Sequence, residues 1–321
     1  MPYLIGTDEA GYAPNLGPLV ISASVWWVDG PGPNVDLYEK LKREVCKAPR
    51  RSGASRRLAI ADSKALYSRA QGLQVLERGV LAALALADCP TGDWHEVWRS
   101  LDERSYAGLS EMPWHLNYEP ALPLAADPQE LTRLVPWLRR GLVRAGVRLV
   151  ALRSRAVFPE EFNRATRVLG NKAEALSRIT LGLVAEMLER CAGQPTLVVC
   201  DKHGGRNYYQ RLLQHQFPDP LVEVLDEGNA RSVYRWGPSD ARIEVHFRAG
   251  GEDFLPAAMA SMTSKYLREL AMHAFNDYWC TRVPGLAPTA GYPGDARRFK
   301  AAIEPLQLAL GIADQVVWRD R

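Results

Sequence analysis

Residues 3–7 and 19–28 are runs of β-branched and aromatic side chains, and Gly11, Pro14, Gly17 and Pro18 fall between them. A strand, a turn and a returning strand read this way, so a β-hairpin is predicted at the start of the chain. Over residues 66–86 the apolar positions recur at helical spacing, and the stretch 80–87 reads as a buried helix. A second helical pattern covers residues 131–145. It leads into 147–158, where Val147, Leu149 and Ala151 alternate with Arg148, Arg153 and Arg155 as in a strand with one wet face. Residues 171–191 form a strongly periodic helix with Ile179, Leu183 and Met187 on its apolar side, and Thr196-Leu197-Val198-Val199-Cys200-Asp201 reads as a buried strand ending in an acid. Short strands are predicted at 221–225, 232–236 and 243–248, then a Gly250-Gly251 break and a long helix over about 254–278.

That order, strands first and then strands alternating with helices, predicts an α/β fold with a mixed sheet flanked by helices. No internal repeat is evident. Residues 29–61 break the regularity: Gly30-Pro31-Gly32-Pro33 opens a short helix, and Pro49-Arg50-Arg51-Ser52-Gly53-Ala54-Ser55-Arg56-Arg57 reads as a mobile loop. Its four arginines suit either phosphate contact or simple solvation, and the sequence leaves both open. From Pro90 to about Pro128 the chain is rich in Trp, Pro and turn residues without a sustained period, as an insertion would be.

Composition narrows the class. With 321 residues, 47% hydrophobic and 24% charged, the chain has enough apolar material for a sizeable core, which excludes wholesale disorder. The length admits one large domain with insertions or two domains. Forty basic against 37 acidic residues give a formal charge of +3, too small a field to announce a nucleic-acid partner by itself, while a local basic face stays open. Cys46, Cys89, Cys191, Cys200 and Cys280 are scattered without a C-x-x-C pair, so neither a disulfide framework nor a thiolate zinc site is expected, and a reducing cytoplasm fits. The first residues reach Asp8 and Glu9 without a basic start or a long apolar stretch, so no secretory signal is predicted. The apolar run 80–87 is far too short for a bilayer core of about 30 Å, and no membrane partner is expected. No G-x-G-x-x-G or Walker-type loop appears, so a nucleotide cofactor is not expected.

The acids fall where strands end: Asp8-Glu9 after the first strand, Asp201 after the buried one, Glu252-Asp253 after the last. Strand ends are where α/β sheets present ligands. If these strands are neighbours, several carboxylates meet at one edge and must hold a proton or bind a cation. An oxygen-only donor set suits Mg²⁺ or Mn²⁺, and two such ions about 3.5–4 Å apart clamp the attacking and leaving oxygens of a phosphodiester. Four carboxylates would balance two divalent ions. On spacing alone the bland alternative is that loops collect Asp and Glu for solubility.

The local wording adds to this. Gly6-Thr7-Asp8-Glu9-Ala10-Gly11-Tyr12-Ala13-Pro14-Asn15-Leu16-Gly17-Pro18 resembles the opening motif of type 2 ribonuclease H (the ribonuclease HII family), in which Asp-Glu-Ala-Gly-Arg-Gly leads into Gly-Pro and the second strand. In order along the chain, Asp62-Ser63-Lys64-Ala65-Leu66 resembles the family's Asp-Ser-Lys-Lys-Leu element. Pro159-Glu160-Glu161-Phe162 followed by Asn171 is similar to its Glu-Ile-Asp and Asn-Ile helix start, and Asp201 stands where the family ends its central strand in an acid. Ala260-Ser261-Met262-Thr263-Ser264-Lys265 with Arg268-Glu269 resembles the Ala-Ser-Ile-x-Ala-Lys helix, and Gly291-Tyr292 the Gly-Tyr after it. The matches run from residue 6 to about 299, interrupted at 29–61, 70–128 and 202–240 by stretches longer or differently worded than the family usually carries.

The resemblance, to an atypical member, implies a ribonuclease H-like mixed sheet flanked by helices, as a single catalytic domain over 1–321 with those insertions and a helical C-terminal part from about 254. It implies endonucleolytic cleavage of RNA in RNA–DNA hybrids or of ribonucleotides embedded in DNA, with two Mg²⁺ or Mn²⁺ ions and a monomer as the default state. Carried over residue by residue, Asp8, Glu9 and Asp201 are metal ligands; the fourth acid is Glu252, nearest the strand end, or Asp253. Gly11, Tyr12, Lys64, Asn171, Ser261, Lys265 and Tyr292 are the implied substrate-binding residues, the two lysines as phosphate contacts, although a solvated lysine is the ordinary fate.

Two departures bear on specificity. Where the family reads Gly-Arg-Gly, this chain has Gly11-Tyr12-Ala13, which removes a phosphate-binding fork and adds a methyl at the point of close approach, so junction recognition through the 2′-OH is in question. Asp201-Lys202-His203-Gly204-Gly205-Arg206 replaces the usual Asp-Gly-Asn wording; His203 is expected at the surface, with proton transfer as the other reading. Trp94, Trp98, Trp114 and Trp137 either stack nucleic acid or seal the insertion, and Arg139, Arg140, Arg144 and Arg148 either follow a phosphate backbone or solvate a helix. A nuclease of the same fold for another nucleic-acid structure, and a binding module without catalysis, are the alternatives.

Overall fold

In the computed structural model, residues 2–30, 35–48, 56–68, 72–191 and 193–320 are described, Glu252 by its backbone alone. Residues 31–34 and 49–55, where the Gly-Pro run and most of the arginine loop fall, lie outside them. The sheet strands are β1 (Tyr3–Ala10), β2 (Leu19–Val28), β3 (Val147–Val157), β4 (Thr196–Asp201), β5 (Glu223–Glu227), β6 (Arg231–Trp236) and β7 (Ile243–Arg248). They form one mixed sheet in the order β3-β2-β1-β4-β7-β6-β5. β1 and β2 are the predicted hairpin, with Asp8 opposite Ser22. β3 adds antiparallel to β2, while β4 runs parallel to β1 and β7 parallel to β4. The stretch 202–240 supplies β5 and β6, which extend the sheet antiparallel beyond β7. β5 is exposed along most of its length, which is why its apolar pattern placed it two residues early.

Successive residues of β1 feed opposite faces, as a strand's period of two requires. Leu4 joins one apolar cluster and Ile5 the other, and likewise Val20 and Ile21 of β2. The helices used below are α1 (Gln74–Leu86), α2 (Trp94–Leu101), α3 (Pro128–Arg144), α4 (Pro159–Leu169), α5 (Lys172–Leu188), α6 (Gln210–Gln216), α7 (Leu255–Arg282) and α8 (Pro293–Ala309). α1, α3 and α7 share the first cluster, and α5 and α6 the second. α7 lies directly on β1: a Cβ on Gly6 would come within 2.0 Å of the Ala257 backbone nitrogen, so only glycine permits this approach. α7 runs past its predicted end to Arg282, and Pro284 keeps the next residue out of helical conformation.

The helix predicted over 66–86 is broken. A single turn at Ser63–Leu66 gives way to extended backbone at Tyr67, and α1 starts only after Gly72, whose φ of +65° is unavailable to a continuing helix. The insertion is tied down by Glu77 of α1, which is fully buried and accepts the backbone N–H groups of Leu124, Ala125 and Ala126 at 2.8, 2.6 and 2.8 Å and the Tyr266 hydroxyl at 2.9 Å. Trp94, Trp98 and Trp114 are buried and seal this insertion against the core, which removes them as a stacking platform. Trp137 stays half-buried.

Candidate active site

β1 and β4 are adjacent and parallel, about 4.8 Å apart, with Thr7 paired to Cys200; Asp201 is the last residue of β4, whereas β1 runs on through Asp8 and Glu9 to Ala10, so these two acids lie within the first strand and not after it, because they keep pairing with β2. Glu9 follows on β1. The strands are there because their apolar runs bury on both faces, and the acids mark where each run meets the rim. Crowding by protein is the main influence on Asp8, pushing its carboxyl up to about 7; Asp201 and Asp62 add repulsion, while Ser261 and the Glu9 N–H, at 2.8 Å, oppose the shift. Glu9 is pushed up to about 8 by the same loss of solvent and then by Asp8 and Asp201, with Lys64 opposing.

Helix α7 and the 62–66 turn complete this rim. Ser264 donates to the Asp8 carbonyl at 2.9 Å. The Ser261 hydroxyl stands between Asp8 and Asp62, with its oxygen 3.2 Å from Asp62 Oδ1. It also accepts the Ser63 N–H at 3.2 Å, while Asp62 caps the turn by accepting the Lys64 N–H at 3.2 Å. Asp62 therefore faces Asp8 as a further carboxylate; it sits inside the Asp62-Ser63-Lys64 motif, but only the packing of α7 reveals its neighbour.

Of the two candidates for the fourth acid, Asp253 has an exposed side chain held 2.7 Å from Lys47 Nζ, which keeps its carboxyl below the usual range. The Gly251–Asp253 turn itself packs on Asp201, since a Cβ on Gly251 would lie 3.8 Å from the Asp201 nitrogen. The Glu252 side chain is outside the described atoms.

The other implied substrate residues divide into two groups. Gly11 and Tyr12 lie on the β1–β2 loop: Gly11 has a φ of +86°, and the Tyr12 ring carries Lys172 Nζ at 4.6 Å, with its hydroxyl pushed up by burial and by Glu9. Gly291 packs on the same loop, its carbonyl accepting the Asn15 N–H at 2.8 Å, so Tyr292, 54% exposed, stands beside it. Asn171 and Lys265 have other engagements. Asn171 caps α5 by accepting the Glu174 N–H at 2.7 Å, and Lys265 pairs with Glu269 and lies 4.4 Å over the Tyr67 ring.

Two buried arginines that sequence reasoning gave no role fasten the loop. Arg268 donates to the carbonyls of Pro18, Leu16 and Ala290 at 2.5, 3.0 and 3.1 Å, and burial lowers its guanidinium to about 10. Arg319 donates to the carbonyls of Gly11 and Pro14 and lies 4.8 Å over the Phe162 ring. His203, expected at the surface, is buried with Nδ1 3.0 Å from Ser177 Oγ, and burial drives its pKa down to about 3. It is a neutral core histidine because the strand β4 that carries Asp201 turns it inward against Tyr209 and Phe247.

Among the described residues no three His, Cys, Asp or Glu side chains stand close enough to enclose a metal ion. The donor chemistry nevertheless fits one: Asp8 and Glu9 are oxygen donors that crowding and mutual repulsion hold above their ordinary ionisation, a state a hard divalent cation relieves.

No family model matches the chain, and no curated protein matches it. Among solved structures it is similar to a chain of the PCNA:RNase HII complex from Archaeoglobus fulgidus, at 13% identity and a TM-score of 0.43, over 99% of this chain and 94% of that one. Ribonuclease H2 from Pyrococcus horikoshii OT3 gives 13% and 0.42, over 98% and 92%. Bst-RNase HIII in complex with Mn²⁺ gives 14% and 0.41, over 99% of this chain and 66% of that one. Among the described residues no helix is long and apolar enough to cross a membrane.

Proposed function

We propose that this chain is a divalent-metal-dependent endonuclease of the ribonuclease H type, hydrolysing the RNA strand of RNA–DNA hybrids or ribonucleotides embedded in DNA. The observation that supports the reading is that Asp8 and Glu9 on β1 and Asp201 at the end of β4 lie on adjacent parallel strands, where burial and then the neighbouring carboxylates raise the Asp8 and Glu9 carboxyls above their ordinary range. Asp8, Glu9 and Asp201 would hold the metal, with Glu252 or Asp253 as the fourth acid on the turn beside Asp201. The chemistry that bound Mg²⁺ or Mn²⁺ supplies there is activation of the attacking water and charge stabilisation of the leaving 3′ oxygen.

The rest falls to side chains of the chain. Ser261 stands between Asp8 and Asp62, and Lys64, whose charge acts on Glu9, would contact a phosphate. The Gly11-Tyr12 loop and the exposed Tyr292 sit side by side, where a sugar and its 2′-OH would be read. Cleavage of a labelled duplex carrying either one ribonucleotide or an RNA tract, with Mg²⁺ and Mn²⁺ compared and Asp8→Asn as control, tests this. Incision abolished by the substitution supports the reading; no incision on either duplex defeats it.

A further inference from the structure

Helix α3 carries a second charged site, apart from the carboxylates. Glu130, Arg133, Trp137 and Arg140 follow one another at intervals of three, four and three, which places them on one helix face. With Arg56 and Arg78 they line a cavity of about 390 Å³. Glu130 is taken up by Arg78, whose Nε lies 2.8 Å from Oε1. Among the described residues Arg133 and Arg140 have no carboxylate partner, and Arg133 donates only to the Gln129 carbonyl of its own helix. Both guanidiniums are exposed, a positive pair whose charge complements an anion.

The indole narrows the class. Trp94, Trp98 and Trp114 are sealed inside, whereas Trp137 is half-buried and borders the cavity. Arg133 and Arg140 are seven residues apart, about 10 Å along the helix axis. They flank Trp137 instead of converging on one phosphate. A base stacked on an indole with a phosphate on either side is the arrangement of a single strand.

We propose that this pocket binds single-stranded nucleic acid, taking one unstacked base on Trp137 and the flanking phosphates on Arg133 and Arg140. The site goes beyond the cleavage reading and stands without it, since it shares no residue with the strand-end carboxylates.

The test is fluorescence anisotropy of a labelled oligonucleotide of about 10 nucleotides, with the full chain in EDTA so that no cleavage intervenes. Trp137→Ala is expected to weaken binding about 5- to 140-fold, the loss of one stacked base, and Trp137→Phe to recover most of it. Arg133→Ser with Arg140→Ser is expected to reduce the slope of log K against log salt by about 1.4, for two phosphates of a single strand. Both arginines are exposed, so this variant folds even if Trp137→Ala does not. Unchanged affinity and salt slope in the arginine variant overturn the proposal. Competition by a nucleoside monophosphate at the same concentration as the oligonucleotide overturns the strand in favour of a free nucleotide. Loss of duplex cleavage with binding intact counts against the proposed function alone, and the reverse result against this pocket alone.

Discussion

The buried guanidinium of Arg319 donates to the main-chain carbonyl of Pro14, 305 residues earlier in the chain. The same side chain reaches the Gly11 carbonyl, and the backbones of Arg319 and Asn15 bond to each other, so the segment around Arg319 straps down the loop that follows Asp8 and Glu9. Arg319 lies near a second buried cation, Arg268, and both donate to carbonyl groups; burial, and then the Arg268 charge, lowers the Arg319 guanidinium below its ordinary range. A single terminal nitrogen of the Arg319 guanidinium serves both the Gly11 and the Pro14 carbonyl.

Arg319→Ala is expected to cost about 2 kcal/mol, charged hydrogen bonds lost against relief of desolvation, and to lower Tm by about 4 °C in a chain of this size. Cleavage is expected to fall further than stability, because the loop bearing Gly11 and Tyr12 loses its anchor. Thermal denaturation beside the duplex assay checks both, and an unaltered Tm would remove the strap.

Asp8 and Glu9 set a dependence of stability on pH in metal-free buffer. Their folded pKa values, about 7 and about 8, are raised above the ordinary 3.8 and 4.5, so the folded state binds more protons than the unfolded one between those limits. Their contribution to stability therefore falls as pH rises through that window. In EDTA, Tm is expected to decline from pH 5 to 8 more steeply in the parent chain than in Asp8→Asn, by a free-energy difference on the order of a few kcal/mol. Mg²⁺ should restore the parent at pH 8 and leave Asp8→Asn little changed. Parallel curves for the two proteins would sink the idea.

The end of β4 was legible because its apolar run stops at Asp201, whereas β1 runs on through Asp8 and Glu9 to Ala10, which the apolar pattern could not show because pairing with β2, not burial, carries the strand onward. The mixed sheet followed from the same runs. What stayed illegible depends on packing. Nothing in Asp62-Ser63-Lys64 says that α7 will bring Ser261, and through it Asp8, against the aspartate. Arg319 bonds to backbone carbonyls, which leave no side-chain pattern to read. A histidine two residues after an acid looked like loop chemistry, yet His203 turns into an aromatic cluster where its charge is unaffordable.

His115 is buried among Trp94, Trp98, Trp114 and Phe158, and among the described residues neither ring nitrogen has a hydrogen-bond partner. Burial lowers its pKa from 6.5 to about 3, so the unfolded chain takes up a proton that the folded chain refuses. Its neutral form supports folding above about pH 6.5, and that support is lost as pH falls toward 3. His115→Phe is expected to hold its Tm better on acidification, the gap widening by about 1.4 kcal/mol per pH unit below 6.5. Urea denaturation of both proteins at pH 7, 5.5 and 4.5 measures it; a gap independent of pH speaks against a neutral buried imidazole.

Glu252 and Asp253 are adjacent, and substitution separates them by experiment. Asp253 is 82% exposed at its side chain and bonded to Lys47 across open solvent, an arrangement whose loss changes stability little. The backbone of their turn packs on Asp201, which brings this segment to the end of β4. The Asp253 carboxylate is drawn off to Lys47, so under the proposed function Glu252 is the acid to test first. Glu252→Gln is therefore expected to reduce cleavage by about 10²-fold or more, the scale of one electrostatic contact removed from a reaction centre. Asp253→Asn should leave kcat within about twofold, since an exposed ion pair contributes at most about 1 kcal/mol. Equal losses in the two variants would mean that Asp253 leaves Lys47 when substrate binds, and Lys47→Met would then raise activity by releasing it.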